Sequence, residues 1–360
     1  MRVLITGLAT YWGGRLAQAL EGFEQVETII GVDSRDPRVE LERTEFVRVS
    51  NRHSLIQRIV TAAEIDTVID TRMVVNSLGA SPRQAHENNV IGTMNILAAC
   101  TGSDSPVRKF VFKSSTQYYG AEQDDPSFFT ERMVRPHPPG TPLERDILEA
   151  ERAVTEFAER RPDTTVTVLR CANVLGPDVD TAFTRMLGLP VVPMVFGFDP
   201  RLQFVHEDDV VHALEHAAIN DLPGTFNVAA DGVLALSEAI SLVGRRPLPV
   251  LPPVGTGIAF GPLRRLGLRV PTELTNLLRF GRGVDNRLFK ATGFDYGYTS
   301  RESVIRLGEH MRLEPILRGR GGEEGYRYER EVEEFLRWSP HVRRERASDG
   351  VAADREPLGI

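Results

Sequence analysis

The chain opens on a short apolar run, a glycine turn and an amphipathic helix, and that unit then repeats. "RVLITG" ends in Gly, as a buried parallel strand does, and "GGRLAQAL" behind it has helical spacing. "VETIIGVD" is a second apolar run, closed by an acid. The weaker "EFVRV", the amphipathic "SLIQRIVTAAEI", "DTVID", "NNVIGTMNILAAC", "RKFVFKSS", "PLERDILEAERAVTEFAERRP" and "TTVTVLR" continue the alternation. Parallel strands need crossover connections, and right-handed crossovers place helices on both faces. The rhythm therefore predicts an α/β fold with a doubly wound parallel sheet.

After about Gly176 the alternation loosens. Short strands ("PVVPMVFGF", "RLQFVH", "GTFNVA") mix with helices ("EDDVVHALEHAAI", "LSEAISLVG"), which predicts a smaller C-terminal α+β substrate domain. The expected organisation is a doubly wound α/β domain over 1–176, with elements returning after 200. A smaller substrate-binding region follows over 177–312, then a helix ("EEGYRYEREVEEFLRW") and a disordered tail over 313–360. The 360 residues suit this plan, at about 100–200 residues per domain.

Charge and composition remove several function classes. The net charge of −7 argues against a nucleic-acid partner, which calls for a basic face. The two cysteines, Cys100 and Cys171, lie far apart and give neither metal-ligand spacing nor a disulfide framework, so no metal is expected and a reducing, cytoplasmic location is. The opening "MRVLITG" is too short an apolar run for a secretory leader. Pro247–Leu263 carries no charge, but its repeated Pro and Gly break a spanning helix, so it reads as a loop or lid and no stable membrane insertion is expected.

"ITGLATYWGG" stands between the first strand and the first helix, the context a phosphate-binding turn needs. Gly permits the tight turn and the close approach of a diphosphate, and the helix N-terminus supplies N–H groups and the positive end of its dipole. Gly7 and Gly13 take the outer positions of a G-x-x-G-x-x-G pattern, with Thr10 in the middle slot and Tyr11 and Trp12 opening the helix. A Cβ at Thr10 crowds the diphosphate, although its hydroxyl can donate to it. Asp33 ends the second strand 20 residues after Gly13, followed by Ser34. A carboxylate there binds ribose hydroxyls and repels a 2′-phosphate, which favours NAD over NADP; Arg35 softens that preference. The turn and the strand order together predict a Rossmann-type nucleotide-binding domain.

Further stretches follow in order: "ENNVIGTMNILAAC" (Glu87–Cys100), "FKSSTQYYG" (Phe112–Gly120), "VLRCANVLGP" (Val168–Pro177) and "QFVHEDDVVHAL" (Gln203–Leu214). With the glycine turn, they resemble the extended short-chain dehydrogenase/reductases, in the NAD-dependent epimerase/dehydratase branch that works on nucleotide sugars. The resemblance spans about residues 1–300 and is narrowest to actinobacterial UDP-glucose 4-epimerase-like proteins. It implies NAD as cofactor, a nucleotide-sugar-like ligand, and a homodimer built on a four-helix interface that includes the helix from Pro142.

The resemblance also implies roles. Ser115 matches the hydroxyl residue that bonds the substrate oxygen. Asn89 matches a mainly structural Asn beside the cofactor. Asn173 matches an Asn near the substrate diphosphate, Gln203 falls on the same substrate side, and Asp209 matches a structural acid. Ser50 and Asn51 fall where the family has its acidic contact near the adenine. Thr71 and Arg72 replace a small apolar turn on the cofactor path, and Lys113 stands in a strand that is normally apolar.

The departure with most consequence is in "PLERDILEAE". The family's Tyr-x-x-x-Lys precedes an acid four residues beyond its Lys, and Glu151 and Pro142 fix that frame. The Tyr slot is then Leu143 and the Lys slot Ile147, neither of which titrates. Leu143, Ile147, Ala150, Val154 and Phe157 are spaced 4, 3, 4 and 3, a single apolar stripe. Tyr118, which stands where the family has an apolar residue, is the candidate substitute for the proton donor, and the next Tyr after Tyr119 is Tyr296. Two readings stay open: an enzyme with an altered proton path, and a non-catalytic binding or regulatory protein of the same fold.

Overall fold

The computed structural model describes residues 1–49, 53–102, 105–250 and 274–320. Ser50, Asn51, most of the uncharged loop Pro247–Leu263, and the expected helix and tail beyond 320 lie outside the described residues.

The chain order is β1 (Arg2–Thr6), α1 (Tyr11–Glu21), β2 (Thr28–Asp33), β3 (Thr44–Arg48), α2 (His53–Ala62), β4 (Thr67–Asp70), α3 (Pro82–His86), a π-type turn (Glu87–Gly92) and α4 (Thr93–Cys100). It continues with β5 (Lys109–Ser115), α5 (Pro142–Arg160), β6 (Thr165–Cys171), β7 (Asn173–Leu175), α6 (Ala182–Leu187), β8 (Val191–Val195), β9 (Arg201–Leu202), β10 (Phe204–His206), α7 (Glu207–Ile219) and β11 (Gly224–Val228). Seven strands form one sheet in the order β11-β6-β5-β4-β1-β2-β3. Each neighbouring pair is parallel. The order reverses between β1 and β4, and in open α/β sheets ligands bind in the crevice at such a reversal.

Strand alternation divides the core into two layers. Val3, Ile5, Ile69 and Val111 point to one face and pack with Leu16, Leu20, Ala213 and Leu214 of α1 and α7. Leu4, Val68, Phe110 and Phe112 point to the other and pack with Ile56, Val60, Ile96, Val154 and Phe157 of α2, α4 and α5. Burial on both faces explains why these strands read as continuous apolar runs.

A third apolar cluster, with Leu175, Phe183, Leu202, Phe204 and Val304, is built mainly from the elements after β6 and takes in Ala121 from the segment after β5. Here "RLQFVH" is two strands rather than one. β9 pairs antiparallel with Leu234–Ala235, and β10 pairs in parallel with β7. Gln203 is the break: its amide donates to Ala230 O (2.8 Å) and accepts from Val284 N–H (2.8 Å). "SLIQRIVTAAEI" also ends earlier than its apolar spacing suggests. Glu64 adopts φ 50°, and Ile65 N–H donates to Val60 O (2.9 Å), the left-handed cap that closes many helices. Among the described residues no helix is long and apolar enough to cross a membrane.

Candidate functional site

The loop between β1 and α1 is shaped by two close approaches. Gly7 has φ 85°, and a Cβ there would stand 2.6 Å from Arg72 Cγ. A Cβ on Gly13 would stand 2.2 Å from Gly7 O, so glycine is what lets the helix start pack onto the turn. Thr10 caps α1: its hydroxyl accepts from Gly13 N–H (3.1 Å) and donates to Gly7 O (2.7 Å). The hydroxyl is thus committed to its own helix rather than offered to a ligand. The N–H groups of Tyr11 and Trp12, in the first turn, have no carbonyl partner within that helix, the arrangement that lets a helix start receive an anion.

Asp33 ends β2 beside this turn. One carboxylate oxygen accepts from Ala9 N–H (3.1 Å); the other accepts from Arg35 N–H (3.1 Å) and the Ser34 hydroxyl (3.4 Å). A cleft of about 190 Å³ opens here, lined by Asp33, Ser34, Arg35, Arg72, Val74 and Asn88 among others. Its lining combines a carboxylate, two arginines and apolar walls.

The turn after β4 crosses the floor of the cleft. Thr71 donates its hydroxyl to Thr6 O (3.0 Å) and lies 3.2 Å from the Thr10 hydroxyl. The Arg72 guanidinium grips Asp70 with two bonds, Nε–Oδ1 3.0 Å and Nη2–Oδ2 2.9 Å. Asp70 is buried and also accepts from the Thr6 hydroxyl (2.9 Å). The charge of Arg72 is therefore balanced inside the protein. Asp70 was readable as the last residue of "DTVID", and its two-residue offset from Arg72 was the available signal. Asn89 is structural: its amide accepts from Val74 N–H and donates to Val74 O, both at 2.8 Å, holding the loop beside the cleft.

At the end of β5, the buried Ser115 hydroxyl accepts from Gln117 N–H (3.2 Å) and keeps its own proton to donate. Lys113 shares its strand face and is 2% exposed. Its ammonium lies 4.5 Å from the centroid of the Trp12 ring, and no carboxylate pairs with it among the described residues. Desolvation lowers its pKa, while the nearby Cys171 opposes that shift. Lys113 and Arg72 are thus engaged with different partners.

Helix α5 starts as its sequence prescribes, with Pro142 in the first turn and the Thr141 hydroxyl accepting from Glu144 N–H (3.2 Å). Leu143 is 7% exposed and Ile147 0%. Ile147 packs in the layer with Phe110, Phe112 and Val154. One turn on, Glu151 takes a two-pronged ion pair from Arg170 (Nη2–Oε2 2.7 Å, Nε–Oε2 3.0 Å) and a hydrogen bond from the Ser114 hydroxyl. Arg170 also donates to the Tyr119 hydroxyl (2.8 Å), which donates to Asn227 Oδ1 (2.8 Å). Burial pushes the Tyr119 phenol up, against the pull of Arg170. Tyr118 is half-buried, with the Arg170 guanidinium carbon 3.4 Å from its ring centroid. Sequence reading missed Arg170; an Arg inside a buried strand, opposite the one acid kept on α5, was the clue.

On the other side of the strand ends, Asn173 donates its amide to Gln203 O (3.0 Å), and the Gln203 amide is itself occupied by backbone groups. His206 caps α7, accepting from Asp208 N–H (3.2 Å), and its ring stacks on Tyr298 with centroids 4.0 Å apart. Asp209 accepts from Gly297 N–H (2.7 Å) and Tyr298 N–H (3.3 Å).

A doubly wound parallel sheet with a glycine turn after β1 and an acid ending β2 defines a dinucleotide-binding protein. The chain belongs to the NAD dependent epimerase/dehydratase family, whose model matches residues 3–229. An uncharacterized protein of Mycobacterium tuberculosis (strain ATCC 25618 / H37Rv) is 37% identical over 324 residues, covering 88% of this chain and 85% of its own length. The UDP-glucose 4-epimerase of Rhizobium leguminosarum bv. trifolii is 29% identical over 202 residues, 47% of this chain and 58% of that one. Among solved structures, the UDP-glucuronic acid 4-epimerase from Bacillus cereus, in complex with UDP-glucuronic acid and NAD, superposes with a TM-score of 0.67 at 17% identity, over 87% of this chain and 100% of that one. The UDP-glucose 4-epimerase of Thermotoga maritima, with UDP-glucose, gives 0.65 at 21% identity, over 87% of this chain and 99% of that one.

Proposed function

We propose that the protein binds NAD in preference to NADP, and a nucleotide sugar, and that it does not run the family's Tyr–Lys reaction. The observation that carries this is the burial of Leu143 and Ile147 in the two slots where that reaction needs a phenol and an ammonium. Hydride transfer at a carbinol carbon needs a base for the hydroxyl proton, and such help is typically worth about 10²–10⁴-fold. When bound, NAD supplies a hydride acceptor. The chain supplies the diphosphate turn at Gly7–Gly13, the ribose acceptor Asp33 and the Ser115 hydroxyl for a substrate oxygen. Neither Leu143 nor Ile147 can move a proton.

One contact favours a second reading, catalysis through Tyr118. Its half-buried ring stands three residues beyond Ser115 and lies against the Arg170 guanidinium. We also propose a cytoplasmic location, on the two free buried cysteines, and a homodimer through α4 and α5. Ile91 and Met94 stand exposed on the turn and helix packed beside α5, apolar surface that such pairing would cover.

The test is calorimetry with NAD and NADP, then incubation with a panel of UDP- and GDP-sugars. The expected result is NAD binding without interconversion of sugars. Enzyme-like turnover by the natural chain would overturn the proposal, and loss of that turnover in Tyr118→Phe would establish the second reading. Leu143→Tyr with Ile147→Lys asks whether the rest of the site is intact, although a lysine at 147 enters an apolar layer and the variant's folding has to be verified alongside its activity.

A further inference from the structure

A dinucleotide lies across a doubly wound sheet in two halves, with the diphosphate at the first helix N-terminus and the adenosine over the strands on the Asp33 side. The nicotinamide half therefore falls over the ends of β4, β5 and β6. The two halves of this crevice differ. The cleft described above lies on the adenosine side, between Asp33, Ser34, Arg35 and Val74. On the other side Trp12, from the first turn of α1, lies against the Lys113 ammonium near the end of β5. We propose that Trp12 and Lys113 fill the nicotinamide half, so that the group this site recognises is an adenosine diphosphate and NAD is held by its ADP-ribose portion.

Three observations carry the proposal. Lys113 is 2% exposed with no carboxylate partner among the described residues, so the Trp12 ring is its compensating contact. A desolvated cation on an indole face is held more firmly than an exposed one, and a ring entering this space must displace it. Lys113 also offers the oxidised nicotinamide ring, which is cationic, no anionic partner, and in its protonated form it repels that ring. Finally, two further positions of the proposed reaction site are closed. Ile147 is sealed in the apolar layer, and Tyr118 is stacked on Arg170.

This inference rests on the nucleotide-binding reading above and narrows it. The experiment is calorimetry of the full chain with ADP-ribose and with NAD, for the natural protein and for Trp12→Ile, Lys113→Ser and Lys113→Met, the last keeping the buried volume. The natural protein is expected to bind ADP-ribose and NAD within about threefold of each other, a gap of under 1 kcal/mol. The variants should raise NAD affinity about tenfold while leaving ADP-ribose unchanged. NAD binding that is tenfold or more tighter than ADP-ribose in the natural protein, roughly a 1.4 kcal/mol preference, would overturn this inference and leave the proposed function standing. Variants that leave the ratio unmoved would also overturn it. Binding of neither ligand would remove both.

Discussion

Glu151 and Arg170 meet beneath α5 as a buried two-pronged ion pair, with Nη2–Oε2 at 2.7 Å and Nε 3.0 Å from the same oxygen. The pair joins the helix to β6, and through Ser114, Tyr119 and Asn227 it joins both to β5 and β11. It fixes α5 against the sheet, with Leu143 and Ile147 buried in the slots proposed for the family's Tyr and Lys. Removing one partner leaves the other charge buried, which costs about 3–5 kcal/mol, whereas replacing both with apolar groups costs far less. Glu151→Leu and Arg170→Leu should each lower stability by that order in urea unfolding, and the double variant should lie closer to the natural protein than either. Additive losses would show that the two residues act independently.

The Thr10 cap sets nucleotide affinity against helix stability. Its hydroxyl takes the Gly13 N–H that a diphosphate would otherwise use, and its Cβ narrows the approach. Thr10→Gly should cost a few tenths of a kcal/mol in thermal unfolding and raise the affinity for ADP-ribose roughly tenfold. Thr10→Ala keeps the Cβ and loses the cap, so it should cost about 1 kcal/mol and gain less affinity. Equal affinities in the two variants would place the obstruction elsewhere.

What could be read from the sequence followed physical range. Strands buried on both faces announce themselves as apolar runs, and the glycines of a diphosphate turn lie within one loop, so the sheet, its winding and the cleft at Asp33 were all local information. The expected loss at Leu143 and Ile147 was read from the frame that Pro142 and Glu151 set, and the structure adds that both side chains are buried. The partners of long side chains were not. The Arg170–Glu151 and Lys113–Trp12 contacts join residues 19 and 101 positions apart and depend on which strand face each occupies. The Gln203 break within "RLQFVH" depends on Ala230 and Val284, which no local pattern encodes.

We assign the proposed choice between cofactors to Asp33. Its carboxylate is half-buried at the lip of the cleft and fixed by the N–H groups of Ala9 and Arg35. A 2′-phosphate would meet this negative charge directly. Asp33→Asn keeps an acceptor and removes the charge, so with Arg35 beside it the ratio of NAD to NADP affinity should fall by about tenfold, roughly 1.4 kcal/mol. Dissociation constants for both cofactors test this, and an unchanged ratio would mean that Asp33 does not contact the ribose.

Asp209 couples stability to pH. Burial raises its carboxyl pKa to about 7, against the opposing hydrogen bonds from Gly297 and Tyr298 N–H. An acid that holds its proton more tightly when folded than when unfolded stabilises the fold while protonated. That contribution is complete below the ordinary carboxyl value of 3.8, declines as pH rises from there, and is gone above about 7. Its full size is on the order of a few kcal/mol. Asp209→Asn cannot titrate, so the stability difference between natural protein and variant should shift against the natural protein as pH rises from about 4 to about 7, and level off above. Urea midpoints at several pH values measure it, and the difference between the two proteins, rather than either curve, isolates this group from the other carboxylates. A difference that is constant across the range would mean that Asp209 is ionised in the fold throughout, held by the two N–H groups and the N-terminus of α7.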